Sequence, residues 1–258
     1  MALLKVTEGP PTPVARIAPA GQVLIKELDG ACARKVMALI YGFNGSGKTS
    51  IARDCHSIGG KTLILATDAN YAPLGGKKYV VDIESWEQFS LAVEKLPYDQ
   101  FDTIAVDTVT QLIDLVQVHE CRRLGIEHPS DAEFSKGWQA MRVELGRVLT
   151  KMELRAKNVI YLAQEKSEEV SVVPGRRTVK ALAALAEGSG RRVRGVVSLV
   201  GRIEVDPKTH NRSLDFRFRA DTEGKDTQSI SANQGFVIPA TGADLWNLVH
   251  GPVETKES

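Results

Sequence analysis

The stretch Gly42-Phe-Asn-Gly-Ser-Gly47-Lys48-Thr49 sets two glycines, a lysine and a hydroxyl at the spacing G-x-x-x-x-G-K-T. Glycines at these points let the backbone curl until successive N–H groups aim at one anion. A lysine next in line reaches the β and γ phosphates of a nucleoside triphosphate, and the following hydroxyl suits Mg2+. ATP contacts are therefore expected from Gly42, Phe43, Asn44, Gly45, Ser46, Gly47, Lys48, Thr49 and Ser50. The positive end of a helix starting near Gly47 adds to the cradle.

Such a cradle needs a carboxylate to support the metal. The apolar run "FDTIAVD" ends in Asp107, which is expected to hold Mg2+ together with Thr49. Thr108 follows where many ATPases place a catalytic glutamate, so the group that activates water must come from elsewhere. The run "TLILATD" closes on Asp68, placed to act as general base. A further run, "NVIYLAQ", closes on Gln164, whose amide is expected to sense the γ-phosphate. The catalytic set is thus Lys48, Asp68, Asp107 and Gln164.

Charge is uneven downstream. Between residues 174 and 194 lie Arg176, Arg177, Lys180, Arg191, Arg192 and Arg194 against the single acid Glu187, a local net of +5 in a chain whose total is +1. A cluster of this kind suits a nucleic-acid backbone, or else it is a solvated loop balanced by its neighbours. In "IEHPSDAEFSKGWQ", Phe134 and Trp138 either stack on bases or join the core. Arg217 and Arg219 alternate along "DFRFRAD" and so share one face, from which they would reach a neighbouring subunit's ATP site.

These residues need a frame that brings strand ends together. Apolar runs alternate with helical patterns from Lys35 onward: "KVMALIY", "KTLILATD", "KYVVDI", "FDTIAVD" and "NVIYLAQE" are separated by segments such as "SWEQFSLAVEKL" and "WQAMRVELGRVLTKMELRAK". This alternation predicts an α/β fold, with a mostly parallel central sheet flanked by helices. Ligands then bind at the carboxyl ends of the strands, where the polar residues above all fall. Beyond Gln164 the period is lost, which predicts a long mobile loop with at most a short helix at "VKALAALAE". "GVVSLVGRIEVD" and "NRSLDFRFRA" predict a C-terminal antiparallel hairpin, and "GADLWNLV" a last short helix.

The expected division is a proline-rich arm at 1–34, one domain at 35–250 and a tail at 251–258. The arm holds four of the eleven prolines and a strand candidate at "QVLIKEL". A chain of 258 residues that is 43% hydrophobic can bury a full core. Its three cysteines lack any C-x-x-C spacing, which suggests neither a zinc site nor a disulfide framework. No run approaches a membrane span, so a cytoplasmic protein with no membrane partner is expected.

Taken together the motifs resemble those of the RecA-like recombinase core, a P-loop NTPase fold. "TIAVDTVTQL" is similar to that family's strand and Asp-Ser/Thr segment, and "SKGWQAMRVELGRVLTKM" to the helix after its first DNA-binding loop. The fit looks best for small bacteriophage ATPases with a bare RecA-type core, over roughly Lys35 to Leu248. The resemblance implies an ATP- and Mg2+-dependent ATPase that binds single-stranded DNA in recombination or single-strand annealing. It also implies a homo-oligomer, ring or filament, working in the host cytoplasm if phage-encoded. Two departures stand out: Asp68 is one methylene shorter than the usual glutamate, and the arm before Lys35 does not match the polymerisation segment of larger recombinases. A small-molecule P-loop kinase and a slow ATP-gated oligomeric switch remain as alternatives.

Overall fold

A computed structural model describes residues 35–68, 71, 74–173, 176–227, 230 and 235–251, without the side chains of 170–177 and 187. The expectations for the arm at 1–34 and for the tail past Gly251 fall outside the described residues.

The first strand, β1 (Met37–Gly42), feeds the glycine loop, and α1 (Lys48–Arg53) leaves it. Then follow β2 (Thr62–Ala66), β3 (Tyr79–Asp82), α2 (Trp86–Lys95), β4 (Thr103–Asp107), α3 (Val109–Leu124), α4 (Lys136–Arg155) and β5 (Asn158–Val173). The chain closes with β6 (Arg176–Ala183), α5 (Glu187–Val196), β7 (Leu199–Val205), β8 (Arg212–Asp215), β9 (Lys225–Asp226), β10 (Val237–Pro239) and α6 (Gly242–His250). No described helix is long and apolar enough to cross a membrane.

The sheet runs β10-β8-β7-β1-β5-β4-β2-β3. From β7 to β3 every neighbouring pair is parallel, while β8 and β10 are antiparallel. Buried β2 and β4 read as unbroken apolar runs because both of their faces are covered. Leu39, Tyr41, Val106 and Tyr161 face a core closed by α2, α3 and α4, where Trp86, Leu112 and Leu145 are buried. Ala38, Ile40, Ala105 and Ile160 face the opposite core under α1 and α6, with Ile51 and Trp246. Successive residues of one strand thus serve two cores, as the pleat requires.

The segment after Gln164 is not a long loop. β5 continues past the sheet to Val173 and pairs antiparallel with β6, so that Glu165 faces Ala183 and Glu169 faces Val179. The expected helix at "VKALAALAE" is likewise replaced: Lys180–Ala183 belongs to β6, and the helix starts later, at Glu187. The β5 arm past Gln164 exposes Ser167, Glu168 and Glu169 in succession, so it shows no period-2 apolar pattern in sequence.

Candidate functional site

Register brings the motif residues to one sheet edge. Gly42 pairs with Gln164 across β1 and β5, and Ala66 pairs with Asp107 across β2 and β4. Since β5 lies between β1 and β4, Gln164 stands between the glycine loop and Asp107. A cavity of about 440 Å³ opens there, lined by Asn44, Gly45, Gly47, Lys48, Thr49, Ser50, Asp68, Leu74, Asp107, Thr108, Gln164 and Arg212.

Local chemistry fixes the loop. Gly45 and Gly47 sit at φ 78° and 98°, the left-handed region that a side chain disfavours. Ser46 N donates to the Phe43 carbonyl at 3.2 Å, which tightens the turn. Lys48 Nζ donates to the carbonyls of Gly42 and Phe43, at 2.9 Å each. Burial pulls the Lys48 ammonium below lysine's ordinary pKa, while Asp107, Asp68 and Glu165 oppose that pull. Thr49 Oγ1 donates to Asp107 Oδ2 at 2.6 Å. Burial raises the Asp107 carboxyl above its ordinary value, and Asp68 adds to the rise, whereas the Thr49 hydrogen bond and Lys48 lower it.

Thr67 ties two strand ends together. Its backbone N–H donates to the Asp107 carbonyl at 2.7 Å, and its Oγ1 accepts from Thr108 N at 2.8 Å and donates to Thr108 O at 3.0 Å. Asp68 follows directly, so this clasp holds it beside Asp107. The Asp107–Thr108 peptide is cis. Thr108 then caps α3, its Oγ1 accepting from Gln111 N at 3.3 Å.

The residues present fit a nucleotide with its metal. The cavity volume lies in the range of small-molecule sites, roughly 300–1,000 Å³. Ser46 Oγ is buried under the loop against Gly42 and bonds to no described group. A hydroxyl and a carboxylate side by side at Thr49 and Asp107 form the hard oxygen donor set that Mg2+ prefers. Of the expected contacts, Gly42, Phe43 and Ser46 do not line the cavity: Gly42 and Phe43 present their carbonyls to Lys48, and the Ser46 side chain is buried under the loop.

Other expected residues lie elsewhere. Arg192 donates to Glu153 at 2.7 Å and Thr150 at 2.9 Å, and Arg194 pairs with Glu223. Arg191 lines a second cavity with Trp138 and Arg142, and Lys180 Nζ lies 4.8 Å over the Phe218 ring. The side chains of Arg176 and Arg177 fall outside the described residues. Arg217 and Arg219 both bind Asp215, a fully buried carboxylate, at 2.8 and 2.9 Å, and neither lines the ATP cavity. Trp138 packs against the core and meets His128 edge-on, whereas Phe134 is 89% exposed.

Sequence reasoning missed Arg212, which reaches the cavity from β8, and the clasp at Thr67. It also missed Glu165, whose buried carboxylate takes both arms of Arg202 at 2.9 Å. Nothing in a linear motif marks these pairs, because strand register alone brings them together.

The glycine loop, the Thr49–Asp107 pair and the strand order define a P-loop ATPase domain on a mostly parallel α/β sheet. The chain belongs to the AAA domain family, whose model matches residues 34–228. One similar solved structure is the crystal structure of the RadB recombinase, at 17% identity and a TM-score of 0.44, covering 74% of this chain and 85% of that one. No curated protein matches the chain.

Proposed function

We propose that the protein is an ATP-hydrolysing DNA-binding protein of the recombination or single-strand-annealing kind, with ATP turnover coupled to single-stranded DNA. The supporting observation is β5, one unbroken strand that passes Gln164 at the ATP cavity and runs on into the hairpin. The hairpin's sequence carries Arg176, Arg177 and Lys180. A shift at Gln164 is therefore passed along a hydrogen-bonded ribbon to a basic tip. Arg192 and Arg194 belong less to this surface, since each is tied to an acid of its own chain. The motif resemblance to phage RecA-like ATPases supports the recombination setting and a homo-oligomer.

In the reaction, Lys48 turns from the loop carbonyls to the β and γ phosphates. Asp68 accepts a proton from the water that attacks the γ-phosphorus, and ADP leaves. Mg2+ held by Thr49 and Asp107 would neutralise charge on the transferring phosphoryl group. Gln164 bonds to the γ-phosphate or the attacking water, and that bond is lost after hydrolysis.

The test is ATPase rate with and without single-stranded DNA, alongside DNA affinity across a salt series. DNA should speed hydrolysis, Mg-ATP should raise DNA affinity, and affinity should fall steeply with salt. Arg176→Ala with Arg177→Ala should weaken DNA binding and spare ATP binding. DNA binding that ignores ATP, or an absence of DNA binding, overturns the DNA half. Phosphoryl transfer to a small acceptor would replace it with the kinase reading.

A further inference from the structure

We infer that Arg212 completes the phosphate cradle from within the same chain, as a second cation on the nucleotide's phosphates. The inference rests on the ATP-binding function proposed above and goes beyond it in assigning a residue that no motif marks.

Arg212 opens β8 and pairs with Val205 of β7, the strand beside β1, which feeds the glycine loop. Its guanidinium lines the ATP cavity with Gly45, Gly47 and Lys48. At Gly47 a Cβ would stand 2.6 Å from Arg212 Nη1, so the missing side chain is what lets the guanidinium lie against the loop. That turn is the one whose backbone N–H groups face phosphate, which places Arg212 at the phosphates rather than at the base.

The neighbouring arginines are engaged elsewhere. Arg202 holds Glu165, Arg217 holds Asp215, and Arg219 holds Asp215 and Glu204. Among the described residues, the Arg212 side chain has no hydrogen bond or ion pair. Charge in the cavity gives it work. Asp68 and Asp107 face a single lysine there, and a bound triphosphate adds further negative charge. A planar guanidinium can donate two parallel hydrogen bonds to phosphate oxygens, which suits this position better than a second lysine would.

The experiment measures Mg-ATP, Mg-ADP and AMP affinity for wild type, Arg212→Ala and Arg212→Lys. Arg212 is exposed, so its replacement leaves the core untouched. Loss of a charge-assisted contact should weaken Mg-ATP binding by about tenfold. AMP binding should change much less, and Arg212→Lys should recover part of the loss. Equal weakening of all three nucleotides would put the residue at the base and overturn the inference. So would unchanged Mg-ATP binding by Arg212→Ala while wild type binds normally, which leaves the ATP function standing. Wild type that fails to bind Mg-ATP would overturn both. A mixing assay tests the same-chain claim. Lys48→Ala and Arg212→Ala proteins combined should hydrolyse ATP no faster than Arg212→Ala alone, and a gain on mixing would show Arg212 acting across subunits.

Discussion

Lys48, Thr49, Asp107 and Asp68 divide the labour at the site by atom type. Lys48 already spends its donors on two loop carbonyls, so a phosphate chain has only to replace those acceptors. Lys48→Ala removes that donor, and Mg-ATP binding measured by calorimetry should fall by about a hundredfold or more, as expected when contacts to two phosphates of about 1.5–3 kcal/mol each are lost together. Asp68 should behave differently. It lines the cavity but supplies no part of the Thr49–Asp107 pair that would hold the metal. Asp68→Asn should leave ATP affinity near wild type and lower kcat by about a hundredfold or more, the usual worth of a general base. A variant that loses affinity and keeps kcat would instead assign Asp68 to nucleotide binding. Lys48 and Thr49 could be read from the glycine spacing, and Asp68 and Asp107 because each follows or ends an apolar run in a parallel sheet, where a strand end is also a site position. Arg212 could not. It sits 165 positions beyond Gly47, and its arrival over that glycine depends on the pairing of β7 with β8.

Helices and strands were legible in proportion to how much they bury. The runs forming β1, β2 and β4 announced themselves because both faces are covered. The β5–β6 hairpin did not, since past Gln164 its β5 arm turns outward, with Ser167, Glu168 and Glu169 exposed, and only Ala183 at the end of β6 returns to a core. Two element contacts carry predictions. Gly242 opens α6 against the end of α1, where a Cβ would lie 2.3 Å from Asp54 C and 2.5 Å from Ile51 O. Backbone cannot yield as a side chain end can, so Gly242→Ala should cost about 1–3 kcal/mol, the usual range for overpacking. Urea unfolding would measure it, and a change near zero would mean α6 shifts freely. The second contact joins α2 to α4. Glu144 accepts from Trp86 Nε1 at 3.0 Å and from both arms of Arg147 at 2.7 and 2.8 Å. Arg147 is the main cause that lowers the Glu144 carboxyl to about 2, with Trp86 helping against the opposing effect of burial. A carboxyl depressed by folding stabilises the fold above its unfolded value, about 4.3, and that contribution fades as pH falls toward the folded one. Stability of wild type should therefore drop between about pH 4 and 2 more steeply than that of Glu144→Gln, which lacks the titrating group. Parallel acid profiles for the two proteins would remove Glu144 from the acid response.

At the scale of the whole molecule, the ATP cavity joins parts that otherwise meet only through the sheet. The glycine loop and α1 pack on the face shared with α6, Asp107 leads into α3 on the other face, and Arg212 arrives from the antiparallel end. A nucleotide bridging these groups binds the folded chain and has no counterpart in the unfolded one, where the loop, Asp107 and Arg212 are scattered. Binding must then raise stability by mass action. Mg-ATP at a hundred times its Kd should add about 2.7 kcal/mol. For a domain of this size each kcal/mol moves Tm by about 2–4 °C, so a shift of roughly 5–10 °C is expected. Lys48→Ala should show almost none at the same concentration. Arg212→Ala should fall between, since a tenfold weaker site retains about half of the linkage energy at that concentration. Thermal unfolding of the three proteins, each with Mg-ATP, Mg-ADP and no nucleotide, reads all these contacts in one series. Equal shifts for wild type and Lys48→Ala would mean that ATP stabilises the chain somewhere other than the glycine loop.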